Sequence, residues 1–446
     1  MSYFKKVLIA NRGEIARRII RTCKRLSIQT VAVYSEADKD AVFVREADEA
    51  VCIGPALVKK SYLDMDNIIR AAKETGASAI HPGYGFLAEN GTFAERCSEE
   101  GITFIGPTAT VIRLMGDKIA ARNQMKAAGI PIVPGVDRGL SSVEEAKQAA
   151  NGIGYPIMLK ASAGGGGIGM QIVHNDQELE TAFESTAQRA GSYFGDDTLF
   201  LEKYITSPRH IEVQIVGDPS GNLVHLWERE CSIQRRNQKI VEEAPSPFLD
   251  PKAREALCTA AVRGAKSIGY TNVGTMEFIV DDQGQYYFLE MNTRIQVEHP
   301  VTEEITGVDL VEWQLKIAAG LPLEPADIPL TPKGHSIECR LYAEDARTFM
   351  PSPGKVETLQ LPEWARLEFA VTEGSQVTPF YDPMIGKIIT HGASRQEAIQ
   401  KMKDALRGCV ISGIKNNLPL LAAIMDDPAF QAGTYDTKFV ETALTK

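Results

Sequence analysis

Gly274-Thr275-Met276-Glu277-Phe278-Ile279-Val280-Asp281-Asp282-Gln283-Gly284-Gln285-Tyr286-Tyr287-Phe288-Leu289-Glu290-Met291-Asn292 reads as two strands joined by a turn. Both arms are rich in β-branched and aromatic residues, and the polar Asp281 to Gly284 cluster separates them. A hairpin centred between Gln283 and Gly284 makes Glu277 and Glu290 a cross-strand pair. Two facing carboxylates need a compensating charge. The simplest is Mg²⁺, which takes a few carboxylate oxygens and fills its other positions with water and nucleotide phosphates. The second arm is predicted to run on as a strand to Glu298. Its period of two puts Glu290, Asn292, Arg294, Gln296 and Glu298 on one face and Leu289, Met291, Ile295 and Val297 on the other. A solvated edge strand shows similar alternation. Amides interleaved with charges of both signs, opposite a second Glu, favour a metal and anion site.

Composition narrows the class. The 446 residues, 44% of them hydrophobic, suffice for two or three domains. A net charge of −10 argues against nucleic-acid and anionic-membrane partners, so an anionic substrate must meet locally placed cations. The longest uncharged stretch, Ala161 to Asn175, is glycine-rich rather than an apolar span, and no secretory signal is evident. The seven cysteines show no metal or redox spacing, which predicts reduced thiols in a cytoplasmic protein.

Three domains are predicted. In residues 1–115, apolar strands at Lys6 to Ala10, Thr30 to Tyr34, Ala77 to Gly83 and Ile102 to Pro107, with a helix from Ile15 to Leu26, read as a doubly wound parallel sheet. The first strand leads into Asn11-Arg12-Gly13-Glu14 rather than a dinucleotide fingerprint, which excludes a dehydrogenase. Arg17, Arg18, Arg21 and Arg25 give that helix a basic face whose simplest reading is solvation. Residues 116–320 alternate helices with antiparallel strands and include a flap at about 130–205. A proline-rich connector, Leu321 to Pro332, then precedes a smaller α+β domain at 334–446.

Several segments point to phosphate. The strand ending at Lys160 runs into Gly164 to Gly167, where successive backbone N–H groups can curl around an anion, although no Gly-Lys-Ser/Thr opens a helix as in a P-loop. Glu202-Lys203 closes another strand, and His210, Glu212 and Gln214 share one strand face. Alone, His210 reads as structural. Arg229 to Lys239 is dense in donors and too polar for a core strand; it reads as an anion-binding loop with Lys239 the leading cation.

These features resemble the ATP-grasp fold. Specifically, His81-Pro82-Gly83-Tyr84-Gly85-Phe86-Leu87, Met115-Gly116-Asp117-Lys118, the 290–300 segment, Pro351-Ser352-Pro353-Gly354 and Tyr381 to Lys387 resemble biotin carboxylase, collinearly over the chain. The resemblance implies that ATP and bicarbonate form carboxyphosphate, which carboxylates biotin. By the same resemblance Lys118, Lys160, Gly165, Gly166, Gly167, Glu202, Lys203, His210, Gln234, Asn237 and Glu277 would hold ATP. Glu277, Glu290 and Asn292 would hold Mg²⁺, with Mn²⁺ an alternative. Lys239, Arg294, Gln296 and the backbone of Val297 would grip bicarbonate, with Tyr84 bordering the substrates. Glu298 would be the base and Arg340 would stabilise the biotin enolate. Ile168 and Asn237 stand where many members carry arginine and histidine.

No biotinylation segment is recognised; Gln400-Lys401-Met402-Lys403 sits in a predicted helix. The resemblance therefore implies a separate biotin carboxyl carrier protein and a carboxyltransferase of an acyl-CoA carboxylase, and a homodimer to which the helix at 15–26 contributes. Another acyl-phosphate-forming ATP-grasp ligase, or a non-catalytic nucleotide-binding subunit, are the alternatives.

Overall fold

In the computed structural model, which describes residues 3–163, 169–329 and 331–443, alternate residues of the first strand feed two cores. Val7 and Ile9 pack with Ile15, Ile19 and Ile20, while Leu8 packs with Ile68, Ile69 and Phe93. That two-sided burial is why the run is continuously aliphatic. The strand is central in a five-stranded parallel sheet ordered Glu49–Gly54, Gln29–Ser35, Lys6–Ile9, Ala79–His81, Thr103–Phe104. Glu49–Gly54 was not foreseen; it is a partly exposed edge without the aliphatic run of its neighbours.

The predicted solvated face of the first helix is corrected. On the helix Gly13–Arg25, Arg18 is buried and its Nη2 lies 2.8 Å from both Glu303 and Asp309. Arg21 reaches Glu368 at 2.6 Å, Arg25 reaches Asp309 at 2.8 Å, and Arg17 donates to Glu46 at 2.6 Å and to the Phe369 carbonyl at 2.5 Å. Much of the face thus binds the helix to distant chain segments.

The largest layer is an eight-stranded antiparallel sheet ordered Tyr286–Asn292, Asn272–Val280, Arg209–Gly217, Leu223–Arg235, Gln238–Ala244, His335–Tyr342, Met384–Gly392, Arg366–Phe369. It crosses the proline-rich connector: Val241 and Glu242 pair with Cys339 and Glu338 beyond it. The segment read as an anion-binding loop is instead a hairpin of two buried strands, turning through Arg236 and Asn237 at φ 48° and 62°. Asn suits that left-handed turn position, and the donors of the strand are used by buried acids.

A three-stranded sheet, Met170–Val173, Ile157–Ala161, Leu199–Lys203, packs with the helices Val143–Ile153 and Asp176–Phe194 to form the flap body. Gly165, Gly166, Gly167 and Ile168 lie outside the described residues. No helix among the described residues is long and apolar enough to cross a membrane. All seven cysteines are free.

The C-terminal segment is pinned by Glu243, which accepts from His335 at 2.6 Å, from Arg395 at 2.6 and 2.9 Å, and from the Tyr435 hydroxyl. Burial pushes this carboxyl up, but the His335 and Arg395 hydrogen bonds and charges outweigh it and hold the pKa at about 2. A depressed carboxyl stabilises the fold above its unfolded value near 4.5 and loses that contribution as pH falls toward the folded value. Glu243→Gln is expected to cost about 3 kcal/mol near neutral pH. In denaturant titrations the deficit should shrink as the pH is lowered through the range between those two values. A pH-independent deficit would mean that the charge is not what holds the segment.

Candidate active site

Glu277 and Glu290 do face each other, by a route the sequence hid. The turn-proximal pairs Val280–Tyr286, Ile279–Tyr287 and Phe278–Phe288 centre the hairpin on Gln283, which would put Leu289 opposite Glu277. A bulge at Leu289 moves the register by one and restores Glu290 to that position. Asp281 Oδ1 fixes the turn by accepting from the backbone N–H of Gln283 at 3.0 Å and Gln285 at 2.8 Å.

The second strand ends at Asn292 rather than running to Glu298. Glu89, from the N-terminal part of the chain, draws the backbone out of the ladder by accepting from the Thr293 N–H at 3.1 Å and Arg294 Nε at 2.8 Å. Pro300 then opens the helix His299–Thr306. Arg294, Gln296 and Glu298 still line the cleft, and Val297 joins them instead of the core.

The cleft is about 1090 Å³ in volume. At its floor Lys239 Nζ donates to Glu212 at 2.6 Å, Glu277 at 2.9 Å and Glu298 at 2.7 Å. Burial acts to lower the lysine's pKa, but the three carboxylates raise it well above the ordinary value. Burial likewise acts to raise Glu277 and Glu298, yet their cationic neighbours hold both well below the carboxylate range. For Glu298 these are Lys239, Arg340 and Arg229. Glu298 is gripped at both oxygens, by Lys239 on Oε1 and by Arg340 Nη2 on Oε2 at 2.9 Å.

Beneath this layer lies the fully buried Arg229. It donates to Glu212 at 2.5 Å, Gln214 at 2.7 Å, Thr302 at 2.9 Å, Thr275 at 3.0 Å and Gln296 at 2.8 Å. Gln296 in turn donates to Glu277 at 2.8 Å, as does Asn292 at 2.8 Å. His210 bridges Gln234 at 2.9 Å and Glu277 at 2.7 Å, which ties it to one carboxylate of the facing pair.

At the other end of the cleft Glu202 is shared by Arg122 and Lys160, with Lys118 nearby on the wall. Burial lowers the Lys118 pKa, only partly offset by Glu290. The Lys203 ammonium donates to the carbonyls of Gly154 at 2.8 Å and Tyr155 at 3.1 Å, bracing the flap while its residue lines the wall. Asn237 is also on the wall, at the hairpin tip. Tyr84 is set behind the cleft rather than on its wall: its hydroxyl donates to the buried Glu14.

The pair Glu277 and Glu290 fits a divalent cation. Their carboxylates are brought together by the ladder and both border the cleft, the oxygen-donor chemistry such an ion takes; burial and then the neighbouring Glu277 raise the Glu290 pKa, while Glu277 already meets Lys239 and His210.

Sequence reasoning missed Arg122 and Glu89 as parts of the site and took Arg229 only as one end of a donor-rich loop. Arg122 carried a signal, since it stands four residues after Lys118 and shares its helix face. Glu89 and Arg229 act through contacts distant in sequence, for which no local pattern exists.

Family models match three consecutive regions: the biotin carboxylase N-terminal domain over residues 3–112, the carbamoyl-phosphate synthase L chain ATP binding domain over 117–326, and the biotin carboxylase C-terminal domain over 338–442. The biotin carboxylase of Halalkalibacterium halodurans is 58% identical over 445 residues, covering 99% of this chain and 98% of that protein. The mitochondrial propionyl-CoA carboxylase alpha chain of Mus musculus is 51% identical over 444 residues, covering 98% of this chain and 61% of that longer protein. The biotin carboxylase domain dimer of the Hydrogenobacter thermophilus 2-oxoglutarate carboxylase, solved with MgADP, ADP and bicarbonate, superposes with a TM-score of 0.95 at 53% identity, covering 98% of this chain and 97% of that one.

Glu290→Lys puts a cation where the hairpin geometry leaves room for a metal. ATP turnover is expected to fall by about a hundredfold or more while the thermal unfolding midpoint stays near that of the parent. Near-normal turnover would reduce Glu277 and Glu290 to a surface pair.

Proposed function

The chain belongs to the biotin carboxylase family, ligases that use ATP and bicarbonate to carboxylate biotin, and on that premise we propose the roles its residues play. The observation that carries the reading is the double grip on Glu298, with Lys239 on one oxygen and Arg340 on the other. Bicarbonate entering beside Lys239, Arg294 and Gln296 competes for the same cations. As it takes their hydrogen bonds, Glu298 loses the partners that hold it ionised, gains a negative neighbour and rises in proton affinity. It then accepts the bicarbonate proton, and the bicarbonate oxygen attacks the γ-phosphorus of ATP to give carboxyphosphate and ADP.

The nucleotide lies along Lys118, Lys160, Glu202, His210 and Gln234, with Lys160 meeting phosphate charge at the flap base. Glu277, Glu290 and Asn292 would hold Mg²⁺, which when bound neutralises charge on the phosphates. With Glu298 protonated, Arg340 is released toward the ureido oxygen of biotin. There it stabilises the negative charge that develops on that oxygen as carboxyphosphate splits into CO₂ and phosphate, the released phosphate takes the ureido N–H proton, and the nitrogen attacks CO₂ to give carboxybiotin.

The biotin acceptor is carried by a biotin carboxyl carrier protein and serves a carboxyltransferase, as the first half-reaction of an acyl-CoA carboxylase in the cytoplasm. Similarity to the propionyl-CoA carboxylase alpha chain supports an acyl-CoA carboxylase, and the dimeric Hydrogenobacter thermophilus domain supports a homodimer.

Two measurements test the reading. Purified protein given MgATP, labelled bicarbonate and free biotin is expected to form carboxybiotin and ADP; folded protein that forms neither would contradict the assignment. Glu298→Ala should depress bicarbonate-dependent ATP cleavage and biotin carboxylation together. Arg340→Ala should lower carboxylation by about a hundredfold to a thousandfold while ADP release falls far less. Equal losses in Arg340→Ala, with weakened nucleotide binding, would move Arg340 to the ATP site.

A further inference from the structure

Behind Arg340, away from the cleft, lies a pair of acids that the reaction scheme above does not use. Glu242 and Glu338 are directly opposite each other on the adjacent strands Gln238–Ala244 and His335–Tyr342, and both are fully buried. Residues so paired in an antiparallel ladder have Cβ atoms about 5 Å apart. Both oxygens of Glu338 and Oε2 of Glu242 lack a hydrogen-bond donor, and Glu242 Oε1 meets only the Arg340 guanidinium, a marked concentration of unsatisfied buried acceptors. Arg340 Nη2 lies 2.6 Å from Glu242 Oε1 as an ion pair, so that guanidinium nitrogen is held between Glu242 and Glu298.

The other charged and titratable groups facing the pair are few. Lys387, opposite Arg340 in the ladder, bears on Glu338, but its ammonium donates to the Val297 carbonyl at 2.5 Å and lies 3.3 Å from Glu14. Lys239 bears on Glu242, but its hydrogen bonds go to Glu212, Glu277 and Glu298. Glu298 adds negative charge to both acids, and the Cys231 and Cys339 thiols are neutral neighbours. The cations within reach are thus already engaged, and two ionised carboxylates here would face each other with no donor between them. A proton supplies that donor.

We propose that Glu338 is a neutral acid that donates its proton to Glu242, and that the pair positions Arg340: Glu242 carries the pair's one negative charge and holds the guanidinium from that side, and the shared proton prevents a second carboxylate from drawing it away from Glu298 and the cleft. Burial, the largest influence on both acids, raises their proton affinity and acts in the same direction. Glu242 and Glu338 are positioning residues, since they reach the substrate only through Arg340. The proposal rests on the role given to Arg340 above.

The test uses the full chain and three readouts. Infrared difference spectra of the resting protein at mildly alkaline pH should show a protonated-carboxyl band that disappears in Glu338→Gln, a measurement independent of turnover and therefore of the assigned reaction. Because Gln mimics a neutral acid, Glu338→Gln should fold and keep the parent ratio of carboxybiotin to ADP. Glu242→Gln removes the charge that holds Arg340, so this ratio should drop by roughly tenfold or more, as misplacement of a reacting group does, with KM for ATP unchanged. The proposal is overturned if Glu338→Gln fails to fold, retains the band, or uncouples as Glu242→Gln does. It is also overturned if Glu242→Gln leaves the coupling ratio intact. Should Glu242→Gln not fold, the band and the Glu338→Gln coupling ratio decide.

Discussion

One ammonium group organises the cleft. Lys239 meets Glu212, Glu277 and Glu298 within 2.9 Å, and each of those acids belongs to a different segment of the central region. Three buried carboxylates around one lysine leave excess negative charge, which Arg229 below and Arg340 beside them offset. Buried ion networks of this kind seldom add net stability over an apolar core, yet breaking one member is costly because it strands its partners. On the roles proposed above, the arrangement is a stored readiness for an anion: the cations are in place and oriented, with carboxylates occupying the positions that bicarbonate would contest.

The surrounding fold keeps that arrangement in register. Glu89 reaches from the parallel-sheet region to pull residues 293–294 out of the ladder, and this turns Val297 and Glu298 toward the cleft. Lys387 reaches from beyond the connector to the Val297 carbonyl and toward Glu14. The eight-stranded sheet carries Arg340 to the same point because its strand pairs directly with the one bearing Lys239. The ion pairs of Arg18 and Arg21 with Glu303, Asp309 and Glu368 join the first helix to the same region. Segments far apart in sequence therefore meet at Glu298.

Much of this was legible because it is local. The hairpin and its two facing glutamates were read from the strand–turn–strand pattern, although the turn is centred on Gln283 and a bulge completes the pairing, and strands such as Lys6–Ile9 and Gln29–Ser35 with the helix between them follow from their apolar patterning. The bulge at Leu289 was not legible, since a one-residue register change leaves no mark in an arm whose residues alternate either way. The same limit explains the overextended second strand: alternation continues through Glu298, and only the distant Glu89 ends the pairing. Arg229 to Lys239 looked like a loop because buried strands are ordinarily apolar. A strand whose polar groups are matched by acids on neighbouring strands breaks that rule, and the matching is a tertiary fact. The arginines of the first helix misled for the same reason.

The ionisation of Glu298 in the ligand-free enzyme decides whether the cleft is charged in advance for an anion. Carbon-13 NMR of glutamate-labelled protein, with Glu298→Gln used to assign the signal, follows that carboxyl as pH is lowered. Lys239 and Arg340 holding its two oxygens predict that it stays ionised well below the ordinary carboxylate range and moves upward when Lys239 is replaced by Met. A Glu298 that titrates at or above the ordinary value in the unliganded protein would contradict the claim that the cleft is a pre-charged anion site.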